Sequence, residues 1–200
     1  GYNTLATQKN TTTTDVYNTA VGYDAGGAIT TAVQNTLIGG LAGDALTTGG
    51  ENVAIGVLAL STEDTGRKNV AIGTQALMVQ NSDVDNYNTA VGYLTGKAIT
   101  SGVRNTLVGA VAGDNLTDAD YNVAIGYDAL GADTKGSRSV AIGYQALENQ
   151  NFTTATDTYN TAVGFDAGQA ITTGQKNVCL SSRAGDALTV GGNNIAIGDS

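Results

Sequence analysis

A five-residue motif, Asn18-Thr19-Ala20-Val21-Gly22, returns along the whole of this 200-residue chain. The steps between its first residues are 17, 17, 17, 19, 17, 17, 17, 21, 17 and 17 residues. A period this short is too small for a helical repeat but suits a short strand and its turns. The spacing predicts an all-β parallel β-solenoid in which each 17-residue repeat forms one rung. The motif begins at Asn18, Asn35, Asn52, Asn69, Asn88, Asn105, Asn122, Asn160 and Asn194, with degenerate copies beginning at Ser139 and Asn177.

The rungs recur in sets of four, because the sequence Tyr-Asn-Thr-Ala-Val-Gly begins at Tyr17, Tyr87 and Tyr159. We expect one continuous array over residues 1–200, with a partial rung 1–17, super-repeats 18–87 and 88–159, and a truncated super-repeat 160–200. Insertions fall in the fourth rung, at 79–86 and 148–158, with 9–16 as their equivalent, and we expect them to form loops on one face. Both ends fall inside a rung, so we expect a segment of a longer protein.

The strand of each rung is apolar on both faces, when the motif asparagine is numbered position 1. Position 4 is Val, Ile or Leu and position 2 is mostly Thr or Val, so we expect these side chains to fill the rung's own interior. Positions 3 and 5, mostly Ala and Gly, would then face outward. Another copy of the chain is the simplest cover for them, and we predict a homotrimer or another oligomer.

The rest of the rung carries a second pattern. Position 8 is nearly always Ala, and position 9 alternates between Gly and Leu. Where position 9 is Gly, position 12 is Ile or Leu, as in Gly26 with Ile29 and Gly43 with Leu46. Close packing therefore predicts that each rung contributes one large side chain to the interior from one of these two positions.

Composition excludes several classes of function. A net charge of −9 does not suit a nucleic-acid partner. The absence of His, with Cys179 as the one cysteine, excludes disulfide frameworks, thiolate or imidazole metal sites and histidine-based catalysis. We interpret Cys179 as a small buried hydrophobe. No apolar run reaches 18 residues, so we expect no membrane insertion. We predict no cofactor, no metal and no enzymatic activity.

Four series of side chains are candidate sites. The motif asparagines, a series that also includes Asn177, are predicted to form a structural ladder by hydrogen-bonding one another and the turns. Isolated aspartates such as Asp44 and Asp114 leave calcium as an alternative, although calcium β-rolls group several carboxylates around each ion. Threonine pairs such as Thr30-Thr31 leave a second alternative, an ice-binding surface. The candidates for contact with a host glycan are the aromatic residues after the motif, Tyr23, Tyr93, Tyr127, Tyr144 and Phe165.

Three repeat units carry a resemblance to known families: Asn52-Val-Ala-Ile-Gly56, Asn69-Val-Ala-Ile-Gly-Thr-Gln-Ala-Leu77 and Ser139-Val-Ala-Ile-Gly-Tyr-Gln-Ala-Leu147. They resemble the head repeats of trimeric autotransporter adhesins, a β-roll in which three chains pack side by side. They also resemble the repetitive shafts of phage tail fibres. The 17-residue period is longer than the adhesin rung, and the Gln-Ala-Leu endings are closer to the phage group. Neither family implies catalytic residues here.

The resemblance implies a structural role in the tail fibre of a virion, as a stiff shaft that mediates attachment to the host surface. A bacterial surface adhesin or extracellular filament is the alternative. A carbohydrate-active or ligand-binding solenoid is a third interpretation, which a cleft lined by clustered carboxylates would favour.

Overall fold

The computed structural model describes residues 1–11 and 15–199. These residues form an all-β parallel solenoid of about eleven coils, and none of them is helical. The equivalent loop predicted at 9–16 includes residues 12–14, which lie outside the described residues. One three-residue strand comes from each motif: β1 (Thr19–Val21), β2 (Thr36–Ile38), β3 (Val53–Ile55), β4 (Val70–Ile72), β5 (Thr89–Val91), β6 (Thr106–Val108), β7 (Val123–Ile125), β9 (Val140–Ile142), β11 (Thr161–Val163), β12 (Val178–Leu180) and β13 (Ile195–Ile197).

These strands form a single eleven-stranded parallel sheet in sequence order. Each residue pairs with the residue at the same rung position, as Ala54 does with Ala71. Pairing therefore continues unchanged across the insertions, since β4 pairs β5 and β9 pairs β11 in the same register. Extra residues of the fourth rung form β10 (Thr156–Asp157), which pairs in parallel with β8 (Gly136–Ser137) at the end of the third rung in a separate two-stranded sheet.

The interior of the solenoid is lined by positions 3 and 8, and this corrects the predicted facing of the strand. Ala54, Ala71 and Ala124 at position 3 are fully buried, while positions 2 and 4 on either side point outward and are partly or fully exposed. The physical reason is volume, because position 3 shares one core with position 8, where Ala59 and Ala76 are also fully buried, and small side chains fill that space. Alternation alone cannot assign the faces of a strand that is apolar on both.

Each rung adds one large side chain to this narrow core, as the alternation of positions 9 and 12 predicted. Ile29 and Leu46 supply it from position 12, and Leu60 and Leu77 supply it from position 9. Leu37 is an additional large residue at position 3. It fits because both neighbouring position-9 residues are glycine: a Cβ on Gly26 or Gly43 would lie 2.7 or 2.8 Å from its methyl groups. Cys179 occupies the same place and is buried, which raises the pKa of its thiol.

Backbone turns close the rung at positions with positive φ. The motif glycines stack on one another, and Gly109, with φ +132°, would place a Cβ under 3.0 Å from the carbonyl oxygen of Gly126. Positions 7 and 17 are left-handed but seldom glycine, as at Leu58 (φ 59°) and Lys68 (φ 63°). Each such residue is strained by about 1 kcal/mol, which the surrounding hydrogen bonds must offset.

Candidate functional site

The outer face of the eleven-stranded sheet carries most of the exposed apolar side chains of the chain. Position 4 forms a column of Val, Ile and Leu, flanked by Thr, Val and Ile at position 2. Aromatic side chains lie along the two edges of this face, at position 6 on one edge and at position 17 on the other. We call these four columns the strip. Of the large exposed hydrophobic residues in the described part of the chain, all but Val84 and Val190 belong to it.

The strip is larger than ordinary surface patches. Eleven rungs at strand spacing and the width of positions 2 to 6 give roughly 50 by 15 Å, or about 750 Å². The largest apolar patch on a typical monomer is about 300–600 Å², and larger patches mark interaction sites. A stable protein interface covers about 800 Å² on each partner. The strip is therefore of the size expected for a contact with another macromolecule.

The aromatic residues predicted to contact a glycan all lie in the position-6 column and are exposed. Tyr144 is stacked between Tyr127, at 5.4 Å between ring centroids, and Phe165, at 5.1 Å. Tyr23 stacks on Tyr2 at 5.7 Å, while Tyr93 has the small residues Thr74 and Ala110 as its column neighbours. Stacking covers both faces of Tyr144. A sugar ring placed on this stack can therefore reach only the outer faces of Tyr127 and Phe165.

The opposite edge of the strip is a column of alternating cations and tyrosines. Tyr121 lies between Arg104, whose guanidinium is 5.4 Å from the ring centroid, and Arg138, at 4.6 Å. Tyr87 lies between Lys68, at 5.1 Å, and Arg104, at 5.7 Å. These cation–π contacts are exposed and contribute about 0.5–1 kcal/mol each. Carboxylates offset part of this positive charge, because Lys68 pairs with Asp85 at 2.6 Å and Arg138 with Asp157 at 2.9 Å.

Acidic side chains gather at the other edge, around positions 7 and 10. Asp24 lies close enough to Asp44, and Asp128 to Asp114, for each neighbouring charge to add to the raised pKa of Asp44 and Asp114, although burial is the main cause. Within the described residues, no group of three or more Cys, Asp or Glu side chains is arranged to hold a metal ion. This edge is thus acidic, whereas the position-17 edge carries both signs of charge.

The motif asparagines form a buried hydrogen-bonded column behind the strip. The backbone N–H of Asn122 donates to Oδ1 of Asn105 at 2.9 Å, and Nδ2 of Asn105 donates to the carbonyl of Ala119 at 2.8 Å. The same pattern joins Asn35 to Asn18, Asn52 to Asn35, Asn69 to Asn52, Asn105 to Asn88, Asn177 to Asn160 and Asn194 to Asn177. Most of these amides therefore close their own rung through Nδ2, and their oxygens hold the next rung in register.

Replacing Asn105 by alanine is expected to destabilise the fold by about 3 kcal/mol, because the Asn122 N–H and the Ala119 carbonyl would be left buried without partners. Urea unfolding followed by circular dichroism measures the change. Asn149→Ala, at an exposed position, is the matched control and should change stability by less than about 0.5 kcal/mol. Equal effects of the two substitutions would contradict a structural role for the column.

Buried polar residues beside the insertions were not predicted. In the third rung of each set, position 12 is a fully buried acid, Glu63 or Asp133, and in the fourth rung it is a fully buried amide, Gln80 or Gln150. Oε1 of Glu63 accepts a hydrogen bond from the N–H of Gly66 at 2.7 Å. The polar identity of position 12 was visible in the sequence, but nothing there showed its burial.

These acids clamp the insertions, which are not free loops. Oδ1 of Asp133 accepts from the N–H groups of Phe152, at 2.9 Å, and Gly136, at 3.1 Å. Phe152 and Thr158 of the second insertion are buried, as is Asn86 of the first. Buried residues therefore alternate with exposed ones along each insertion, and the longest exposed runs are residues 83–84 and 153–155.

Stability is expected to increase as the pH falls from about 7 to about 5. Burial raises the pKa of Asp44, Glu63, Asp114 and Asp133. A carboxyl group whose pKa is raised in the folded state favours folding most below its unfolded pKa and loses that contribution as pH rises through the folded value. Asp85 has the opposite sign, because Lys68 lowers its pKa, but it titrates below this window.

Thermal unfolding at the two pH values tests this expectation. The double variant Glu63→Gln/Asp133→Asn removes the two most deeply buried acids and should flatten the dependence. A midpoint that rises from pH 5 to pH 7 would contradict it.

Comparison of the chain with known protein families, with curated proteins and with solved structures gives no match. None of the described residues belongs to a helix long and apolar enough to cross a membrane.

Proposed function

We propose that this chain is a segment of the shaft of a phage tail fibre, in which three copies pack side by side along their strips. The observation that supports the proposal most is the strip itself, which covers about 750 Å² along the rod and carries an unbroken column of Val, Ile and Leu at position 4. Water-facing sheets alternate with polar residues on their outer face. Here Ile125, Ile142 and Val163 succeed one another in position 4.

Arg104 and Lys176 form no ion pair among the described residues, and their place at the position-17 edge favours parallel copies. A rotation axis along the rod brings the position-17 edge of one chain against the position-6 and position-7 edge of the next. Arg104 and Lys176 would then approach the side of the neighbour that carries Asp128 and Asp166. An antiparallel pair would place like edges together, which complementary interfaces avoid. Parallel copies suit a shaft with one end at the virion and the other at the host.

The rod suits a mechanical role because hydrogen bonds link every rung to the next. Besides the asparagine column, the threonine hydroxyls at position 13 donate across rungs, from Thr30 to Thr47, Thr47 to Asp64 and Thr117 to Thr134. Ten rung spacings give a length of about 50 Å. Such a rod would hold a receptor-binding tip away from the particle. The Gln-Ala-Leu rung endings favour the phage fibre over a bacterial adhesin.

The mass of the particle in solution tests the assembly. Light scattering on the chain at several concentrations should give about 60 kDa, three times the 20.1 kDa chain. A mass of 20.1 kDa at every concentration would overturn the proposed packing.

The aromatic column adds a second part to the proposal, a weak contact with host glycans through those parts of the rings that stay exposed at the outer margin of the packed strips, repeated along the fibre. The outer face of Phe165 is the open platform of the Tyr127–Tyr144–Phe165 stack, with Ser182 beyond it in the column. Phe165→Ala should therefore reduce binding in a glycan array, whereas Val190→Ala, outside the strip, should not. If the assembled rod binds no glycan, its role is that of a spacer alone.

A further inference from the structure

We propose that Ser139 and Gln150 react to form an intramolecular ester, a covalent cross-link within the fourth rung of the second set. This cross-link does not depend on the fibre function. Ser139 replaces the asparagine of the buried column at this rung. Nε2 of Gln150 donates a hydrogen bond of 2.9 Å to Oγ of Ser139, and both residues are fully buried. The hydrogen bond holds Oγ beside the amide nitrogen, which is about 1.3 Å from the amide carbon. A rotation of the amide must turn the face of that carbon toward Oγ before attack.

The groups around the amide are those that an acyl transfer needs. Nδ2 of Asn160 donates a hydrogen bond of 2.8 Å to Oε1 of Gln150, the oxygen that becomes negative when the carbonyl is attacked. Oδ2 of Asp133 accepts from Nε2 at 2.5 Å and stabilises positive charge on the leaving nitrogen. Thr158 holds the nucleophile, with its Oγ1 at 2.6 Å from Oγ of Ser139.

The reaction balances without any other reactant. Oγ of Ser139 forms a bond to Cδ of Gln150, and the hydroxyl proton moves to Nε2. The Cδ–Nε2 bond then breaks with its electron pair on nitrogen, and ammonia leaves. No oxidant, reductant or cofactor takes part. Because Asp133, Thr158 and Asn160 are also fully buried, water is kept from the product, which protects the ester against hydrolysis.

The first set supplies an internal comparison, because it keeps the acid and the amide but lacks the hydroxyl groups. There the equivalents of Asp133 and Gln150 are Glu63 and Gln80, and Asn69 stands in place of Ser139. Nε2 of Gln80 donates to Oδ1 of Asn69 at 3.3 Å, an ordinary amide–amide hydrogen bond. Asn86 takes the place of Thr158. We therefore expect the cross-link in the second set and not in the first.

Mass spectrometry of the folded full-length chain tests the proposal. Its intact mass should be lower than the sequence mass by about 17 Da, the mass of the ammonia released when the hydroxyl acylates. After trypsin, the fragment 139–176 should carry the whole deficit, and backbone cleavage should give no separated ions between residues 139 and 150. The fragment 69–97, from the first set, should have its full mass. A full mass for 139–176 overturns the proposal.

Two variants separate this ester from other losses of ammonia. Ser139→Ala removes the nucleophile, and Gln150→Glu removes the nitrogen that leaves, so both should show no deficit. Circular dichroism identifies whether each variant retains the wild-type sheet signal, and either folded variant is sufficient. Persistence of the deficit in a folded variant would place the ammonia loss elsewhere, such as an asparagine cyclisation, and would overturn the proposal.

Discussion

Substituting lysine for both Ile125 and Ile142 should convert the proposed trimer of about 60 kDa into single chains of 20.1 kDa. The two side chains are neighbours in position 4, at the centre of the strip. In an assembly that covers the strip, each lysine would bury an ammonium group without a partner, at a cost of several kcal/mol per chain. Three chains meeting along one axis would multiply the effect, because like charges would face one another. Light scattering measures the change directly.

The matched control places the same charges outside the strip, as Thr31→Lys/Ser101→Lys. Both residues are exposed and belong to position 14, so this variant should keep the wild-type mass. Circular dichroism should give the same sheet signal for both variants, because Ile125 and Ile142 do not contribute to the interior. If the strip variant assembles as well as the control, another surface must hold the copies together.

Replacing Gly109 by alanine should destabilise the solenoid by about 3 kcal/mol or more. Its φ of +132° is unfavourable for any residue with a Cβ, and the new atom would collide with the stacked carbonyl of Gly126. Backbone on both sides of the collision is held by the sheet, so the strain cannot be relieved by moving a side chain. Urea unfolding and the rate of proteolysis both report the loss.

Two substitutions serve as comparisons for Gly109→Ala. Gly40 is also a glycine beside the motif, but a Cβ there has no atom within 4 Å, so Gly40→Ala should leave stability nearly unchanged. Ser181 already occupies a motif-glycine position, with φ 113°. Ser181→Gly should therefore stabilise the chain, by about 1 kcal/mol. A neutral Gly109→Ala would mean that the glycine column tolerates side chains.

Local signals in the sequence were enough for much of the architecture. The 17-residue period predicted a parallel solenoid, because in-register stacking requires the same residues to recur at each rung, and the sheet has this register. Some rungs have Gly at position 9 and a large residue at position 12, as in Gly26 with Ile29, and others have Leu at position 9, as in Leu60. This pattern predicted how the interior is filled, because the volume available in each rung is constant.

The sequence did not determine which face of the strand lies inside. Val53, Ala54 and Ile55 are all apolar, so alternation was consistent with either orientation. Which face of the strand is buried depends on the volume of the interior, which the turns and the alanines of position 8 limit. The observed orientation places the Ala positions inside, so the candidate contact surface is the strip and not the Ala and Gly positions. The prediction of an oligomer therefore now depends on the residues of the strip.

Contacts between rungs account for the other differences. Asp133, Ser139, Gln150 and Asn160 are separated by as many as 27 residues, and in the sequence each is an ordinary polar side chain. Stacking the rungs brings them together and removes them from water. The sequence by itself determined the period, the strand positions and the composition of each column, since these depend on local spacing. Only the tertiary structure decided the burial and the neighbours of each side chain, because both depend on how the rungs close and stack.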